Sequence, residues 1–314
     1  MILGTGGTIA GQAEQASDNV GYKAGVLPVS QLVRSLPLCA DWEIEVHEVA
    51  QIDSKDMSWA VWQRLLRSVD EHLSRPEVAG VVITHGTDTI EETAFLLEWA
   101  LRPAKPVVMT CAMRPASAVS PDGPQNLLDA VAVATAPGLS GVVVVCSGRV
   151  HSAQDVRKAH PHQLDPFSSG EAGVLGRVEE GRLRLFRQVA RPAWLAGDSL
   201  LGPLLAARAL PRVHIVPSHA DADPQALELW LAPQAWPKDG PLQGLVVEAT
   251  GNGTVHERLL PTLRRAQHQG VAVALASRCV EGAIAQHPGI AFEVFDGLSV
   301  LKTRLALALR LLAR

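Results

Sequence analysis

The chain has 314 residues, 47% of them hydrophobic, and a formal net charge of −4. That length accommodates one large or two medium domains, and its apolar residues come in short runs, none near the roughly 18–20 a membrane helix needs. No basic block interrupts the charge balance, so neither a membrane nor a nucleic acid is expected as a partner.

Ile2 and Leu3 open a short strand that runs at once into Gly4-Thr5-Gly6-Gly7-Thr8-Ile9-Ala10-Gly11. With no basic region or cleavage site ahead of it, no secretory signal is expected. Asp56 to Arg75 has helical spacing, with Met57, Val61, Leu65, Val69 and Leu73 in one stripe. Val78–Thr84 is a β-type run, and Thr89–Leu101 reads as the helix after it. Asp88 or Thr89 suits the N-cap, and Glu91 and Glu92 suit the positive first turn. Lys105–Ala112 is a strand, Pro124–Thr135 a helix and Gly141–Cys146 a strand. This alternation predicts an α/β protein with a mostly parallel sheet in a large N-terminal domain covering residues 1–190. From 191 to 212 the pattern dissolves into Pro192, Gly197, Gly202, Pro203 and Pro211, which reads as a linker. A smaller α/β domain follows over 213–314: strand Val213–Pro217, a helix from Pro224, strand Leu242–Ala249, helix His256–Gln269 and strand Val271–Ala276. A helix from Ser299, leucine-rich and carrying Lys302, Arg304, Arg310 and Arg314, reads as an amphipathic closing element. Cys39, Cys111, Cys146 and Cys279 are far apart and form no CxxC pair, so they read as reduced core or near-core thiols of a cytoplasmic protein.

Two turns carry the chemical signal. A β-run that stops at glycine and restarts as a helix sets its hydroxyls at the carboxyl edge of a sheet, where open α/β proteins bind ligands. The first turn fails the dinucleotide fingerprint because Ile9 holds the third glycine position, and it fails the P-loop because no Gly-Lys-Ser/Thr follows. Taken alone it reads as a tight turn with Thr8 as a cap. The second turn, Ile83-Thr84-His85-Gly86-Thr87-Asp88-Thr89, repeats the design and adds a carboxylate. Lys158 is the candidate to complete a proton-handling group, since a lysine drawn into a partly dry site beside a carboxylate can act as a base. Alone, it would read as a solvated loop charge. His85, among small residues at a strand end, reads as a satisfied structural histidine and is left out of the chemistry. His160-Pro161-His162 lacks a third ligand at metal spacing and reads as a solvated loop. The seven tryptophans read as core or subunit contacts.

These segments resemble the bacterial-type L-asparaginases, the threonine-dependent amidohydrolases. The two threonine turns carry the likeness, the second extending through Ile90-Glu91-Glu92-Thr93. Asp53-Ser54-Lys55-Asp56-Met57, Ala112-Met113-Arg114-Pro115, Asp122-Gly123-Pro124 and Gly251-Asn252-Gly253 follow in family order. The resemblance implies Thr8 as the nucleophile on the side-chain amide of asparagine and Tyr22, the chain's only tyrosine, on a mobile loop that assists it. It implies that Thr87, Asp88 and Lys158 handle protons and activate water. Ser54 and Asp88 would hold the substrate's α-carboxylate and α-amino groups. Gly7, Gly86 and Ala112 would line the substrate site, with backbone N–H groups near Thr87 and Ala112 facing the oxyanion. It further implies no cofactor or metal, and a homotetramer built as a dimer of dimers.

Three positions depart from the secreted, high-affinity members. Lys55 stands where they carry a glutamine, Thr254 where they carry asparagine, and Gly289 where a glutamate partners the loop tyrosine of a neighbouring subunit. Glu281 and Glu293 are the nearest stand-ins, though both read as surface charges. Two rivals accompany the asparaginase reading: a same-fold amidase that prefers glutamine or another amide, such as the amidase subunit of a tRNA-dependent amidotransferase, and an inert amino-acid sensor that keeps the pocket.

Overall fold

The computed structural model describes residues 1–34, 36–37, 42–189, 200–232, 240–290, 292–295 and 297–313. The chain divides into two compact units, Met1–Leu205 and Ala206–Arg314. The first contains β1 (Ile2–Gly6), α1 (Val29–Arg34), β2 (Val46–Ile52), α2 (Trp59–Leu73), β3 (Val81–Thr84), α3 (Ile90–Leu101), β4 (Pro106–Thr110), α4 (Gly123–Ala134) and β5 (Gly141–Cys146). It continues with β6 (Arg149–Ser152), β7 (Arg157–Lys158), β8 (Phe167–Ser168), β9 (Gly176–Glu179) and β10 (Arg182–Leu185). Helix α5 (Leu201–Ala206) follows, with Leu204 buried.

One sheet joins eight of these strands in the order β10-β9-β6-β5-β4-β3-β1-β2. Strands β1 to β5 pair in parallel, while β6, β9 and β10 add an antiparallel flank. The pleat sends alternate residues to opposite faces. Ile2, Val82, Val108 and Val143 align in register on the face covered by α1 and α4. The adjacent row, Leu3, Ile83, Met109 and Val144, is wholly buried on the other face. Each such side chain contributes about 1.5–3 kcal/mol on burial, so one-residue slips are strongly opposed.

Chain order in the parallel part is 2-1-3-4-5, and it reverses direction between β1 and β3. Such a switch point opens a crevice at the carboxyl ends of the strands. Ser54 follows β2, Thr8 follows β1, Thr87 follows β3 and Ala112 follows β4, so all four gather at that edge.

The second unit has a parallel four-stranded sheet in the order β11-β12-β13-β14: Val213–Pro217, Gly244–Ala249, Ala272–Ser277 and Glu293–Val294. Helices α6 (Gln225–Leu231) and α7 (Leu260–His268) are interleaved with these strands, and α8 (Val300–Leu312) packs on β11, β12 and β13.

Several expectations need correction. The helix expected from Asp56 begins at Trp59, because Ser54–Asp56 forms a separate 3-10 turn and Met57 is extended. Helix α8 is the closing element expected from Ser299, but its Lys302 is not solvated: Lys302 and Thr303 are fully buried, as are Leu305 to Leu309. Arg310 is bonded to Glu293 and lies over the Phe295 ring. Cys111 and Cys146 are buried, but Cys279 is exposed, and Cys39 lies outside the described residues. The Cys146 sulfur beside it, together with burial, holds the Cys111 thiol well above its ordinary range. Residues 191–199 of the expected linker also lie outside the described residues. Among the described residues no helix is long and apolar enough to cross a membrane.

Candidate active site

The two threonine turns meet backbone to backbone. Gly7 has φ 82°, and a β-carbon there would fall 2.4 Å from the Gly86 nitrogen. A β-carbon on Gly86 would in turn lie 2.5 Å from the Ser54 hydroxyl. Only glycines allow this approach, and the first also needs the left-handed region that glycine alone visits freely. Thr5 Oγ1 ties the strand ends together by donating to the Thr84 carbonyl at 2.8 Å.

Thr8 begins a short 3-10 turn after β1 and is almost fully buried. Its hydroxyl lies 2.6 Å from the Tyr22 hydroxyl. The loop bearing Tyr22 is docked: Gln12 and Lys23 exchange two backbone hydrogen bonds of 2.9 Å, and Ala13 N–H donates to Ser117 Oγ at 2.8 Å. Gly11 is glycine for space, since its φ is −83° and a β-carbon would sit 2.8 Å from the Tyr22 ring. Burial raises the Tyr22 phenol above its ordinary value. Asp53, Asp88 and Asp122 push the same way, and the bond to Thr8 opposes them. Tyr22 is therefore protonated at neutral pH and is no standing base. Its sensitivity to Asp88 also brings the two turns into one electrostatic neighbourhood.

Lys158, on β7, sends Nζ to Thr87 Oγ1 at 2.8 Å and to Asp88 Oδ1 at 2.5 Å. Its side chain is 20% exposed, so the solvated-loop alternative does not describe it. Glu91, a buried carboxylate in the first turn of α3, accepts the Lys158 backbone N–H at 2.7 Å. In sequence Glu91 reads as a first-turn carboxylate within the second matching segment, and nothing local tells that it fixes β7. Thr89 is the N-cap residue of α3, yet its hydroxyl donates to the Ser54 carbonyl at 2.8 Å rather than capping the helix.

Ser54 is 2% exposed, and its hydroxyl has no hydrogen-bond partner among the described residues. A buried unpaired hydroxyl costs about 1–3 kcal/mol, and beside Gly86 it suits an incoming acceptor. Lys55 turns outward, its Nζ 2.7 Å from Asp56 and 3.4 Å from Asp53, so it does not oppose an ammonium in the crevice. Ala112 joins through packing on Ile9 and Ala10. Asp122, which the sequence reading noted only as part of a matching segment, accepts the Met113 and Arg114 N–H groups at 2.9 Å each. Asn126 pins the ends of β4 and β5 through the Cys111 carbonyl and the Ser147 N–H.

His85 is fully buried with both ring nitrogens bonded, to the Gly86 carbonyl at 2.8 Å and Thr93 Oγ1 at 3.0 Å. Burial lowers its pKa to about 4. In the second unit the Thr250 and Thr254 hydroxyls lie 2.7 Å apart, and Asn252 is bonded to Ala285. Glu293 is committed to Arg310, which removes it as a free stand-in for the missing glutamate. No group of three or more His, Cys, Asp or Glu among the described residues has metal-binding geometry.

A buried hydroxyl held by a phenol, on a turn packed against the turn that carries the Thr87, Asp88 and Lys158 group, has the makings of covalent acyl transfer. Comparison with known proteins leads the same way. Residues 1–191 match the profile "Asparaginase, N-terminal", and residues 212–306 match "Glutaminase/Asparaginase C-terminal domain". The chain is 35% identical over 288 residues to L-asparaginase 2 of Escherichia coli K12, covering 91% of this chain and 79% of that one. It is 33% identical over 320 residues to the glutaminase-asparaginase of Acinetobacter glutaminasificans, covering 99% and 94%. The crystal structure of a probable cytoplasmic L-asparaginase from Campylobacter jejuni superposes with a TM-score of 0.88 at 32% identity, over 99% of this chain and 94% of that one.

Proposed function

The chain belongs to the asparaginase family, and on that premise we propose that its threonine turns convert L-asparagine to L-aspartate and ammonia by way of an ester on Thr8. The observation that carries the reading is the pair of contacts Thr8–Tyr22 and Thr87–Lys158–Asp88 at one sheet edge. Ser54 Oγ donates to the substrate's α-carboxylate, and Asp88 accepts from its α-ammonium. Gly7, Gly86 and Ala112 supply the close walls.

Thr8 Oγ attacks the side-chain amide carbon as its proton passes through Tyr22 toward the amide nitrogen. Since Tyr22 holds its own proton at neutral pH, it takes one only while giving one up, a concerted relay rather than a free phenolate. The negative charge on the former carbonyl oxygen is met by backbone N–H groups near Thr87 and Ala112. The C–N bond breaks, ammonia leaves, and Thr8 carries a β-aspartyl ester. Water, oriented by the Thr87–Lys158–Asp88 group, adds to that ester. The ester bond breaks, Thr8 regains its proton and aspartate departs.

The assembly we infer is a homotetramer of two dimers acting in the cytoplasm; the likeness to the probable cytoplasmic L-asparaginase of Campylobacter jejuni supports the compartment. Light scattering and cell fractionation test both points. A second reading, turnover of glutamine as well, is favoured by the likeness to a glutaminase-asparaginase. Ammonia release from asparagine and glutamine in parallel, with Thr8→Val and Thr87→Val, separates the possibilities. Asparagine is expected to turn over faster, and either substitution to abolish release. Faster glutamine turnover moves the assignment to the second reading, and binding of asparagine without ammonia release makes the protein a sensor.

A further inference from the structure

His85 is a fully buried titratable group beside the site that the mechanism does not use, and its surroundings define where its proton sits. Trp62 Nε1 lies 2.9 Å from Thr93 Oγ1, and Thr93 Oγ1 lies 3.0 Å from His85 Nε2. An indole N–H can only donate. The Thr93 oxygen therefore accepts from Trp62, and its own proton is free to point at His85 Nε2. Burial keeps the ring neutral, and the Gly86 carbonyl beside Nδ1 can only accept, so Nδ1 carries the proton and Nε2 is the acceptor. That proton is donated to the Gly86 carbonyl, 2.8 Å away. The indole donor at one end and the carbonyl acceptor at the other thus set the order of all three hydrogen bonds.

The Gly86–Thr87 peptide transmits this order to the crevice. It is planar and trans, so a Gly86 carbonyl aimed at the buried imidazole turns the Thr87 N–H the opposite way. That N–H makes no hydrogen bond to any described residue, although Thr87 is 5% exposed. We propose that Trp62, Thr93 and His85 form a positioning relay that fixes the Gly86–Thr87 peptide plane and so aims the Thr87 N–H at the developing oxyanion. The relay rests on the amidohydrolase reading above, in which the charge on the tetrahedral intermediate must be met by backbone donors. His85 is then a positioning residue and touches no reacting atom.

Two substitutions separate this role from simple core filling. The asparagine amide nitrogen overlays Nδ1 and can still donate to the Gly86 carbonyl; the glutamine amide overlays Nε2 and cannot. His85→Asn should keep kcat within about threefold of wild type. His85→Gln should lose about tenfold to a hundredfold in kcat with KM within about twofold, because an oxyanion donor acts mainly in the transition state. Thr93→Val, which removes the donor to Nε2, should lower kcat in the same direction. Equal losses in His85→Asn and His85→Gln, or a change in KM in place of kcat, would overturn the relay. Nitrogen-15 NMR of wild-type His85 gives a readout that does not depend on turnover or on any variant folding. A protonated Nδ1 with bare Nε2 is expected between pH 5 and 8, and the reverse tautomer would end the proposal. Wild type that releases no ammonia would instead remove the amidohydrolase reading, whatever the tautomer.

Discussion

Lowering the pH from 7 to 4 should destabilise the first unit through one residue. His85 has no exposed surface, and its pKa falls from the ordinary 6.5 to about 4 because burial disfavours the charged ring; the Gly86 carbonyl offsets part of this. No charged side chain contributes to the shift. A depressed folded-state pKa gives stability that is fully present above 6.5 and drains away as the pH falls toward 4. The interval is worth about 3 kcal/mol at ~1.4 kcal/mol per pH unit, a large share of the 5–15 kcal/mol typical of a domain. Other groups titrate over the same range; burial raises Glu48 and Asp129, for example, with the opposite effect. The useful quantity is therefore the difference between wild type and His85→Asn, measured by urea unfolding at pH 7, 6, 5 and 4. Wild type should lose about 3 kcal/mol more than the variant between pH 7 and 4, with equal denaturant slopes. Parallel curves for the two proteins would show that the buried imidazole is not what acid attacks.

Ser54→Ala removes a buried hydroxyl without a protein partner, so the melting temperature should hold or rise, while KM for asparagine rises about tenfold to a hundredfold if that hydroxyl meets a carboxylate. A fall in melting temperature with KM unchanged would assign Ser54 to structure alone. Tyr22→Phe keeps the ring packed on Gly11 and removes the hydroxyl at Thr8, so kcat should fall about a hundredfold with the melting curve unmoved. Gly7→Ala drives a methyl group into the Gly86 backbone from a positive φ, and urea unfolding should show a loss of about 3 kcal/mol or more.

Periodicity revealed those parts of the fold whose residues are buried on one side or both. Strands β3, β4 and β5 are apolar runs between covering helices, and α2 carries its stripe from Val61 to Val69. Strand β2 went unseen because Val46–Ile52 is largely exposed at the sheet edge, with His47, Glu48 and Gln51 breaking any alternation. The antiparallel flank escaped for a related reason. Arg149–Ser152, Gly176–Glu179 and Arg182–Leu185 are short and polar, and tertiary pairing rather than local pattern makes them strands. The burial of Lys302 was not legible because a charged residue on a leucine-rich helix reads as its solvated face, whereas here its side chain is fully buried.

The threonine turns were legible because glycine spacing reports close approach directly: Gly7 is small because it meets the Gly86 backbone, and Gly86 because it meets Ser54 and Gly7. Lys158 could be named as a candidate from its residue type, but only the resemblance favoured it over a solvated loop charge, since nothing near it in sequence tells that β7 folds back toward Thr87 and Asp88. Glu91 was harder still, and Ser54 was named through the resemblance alone. A first-turn glutamate is explained well enough by the helix N-terminus, and an unpaired serine looks like any other until its surroundings are closed.

The most direct test of the central claim is to find which hydroxyl becomes acylated. Lys158→Met, lacking the ammonium that orders the attacking water, should accumulate ester when mixed with asparagine. Acid quenching, proteolysis and mass spectrometry then read the modified peptide. The account predicts a β-aspartyl group on the peptide carrying Thr8; the same group on the peptide carrying Thr87, or on neither, would contradict it.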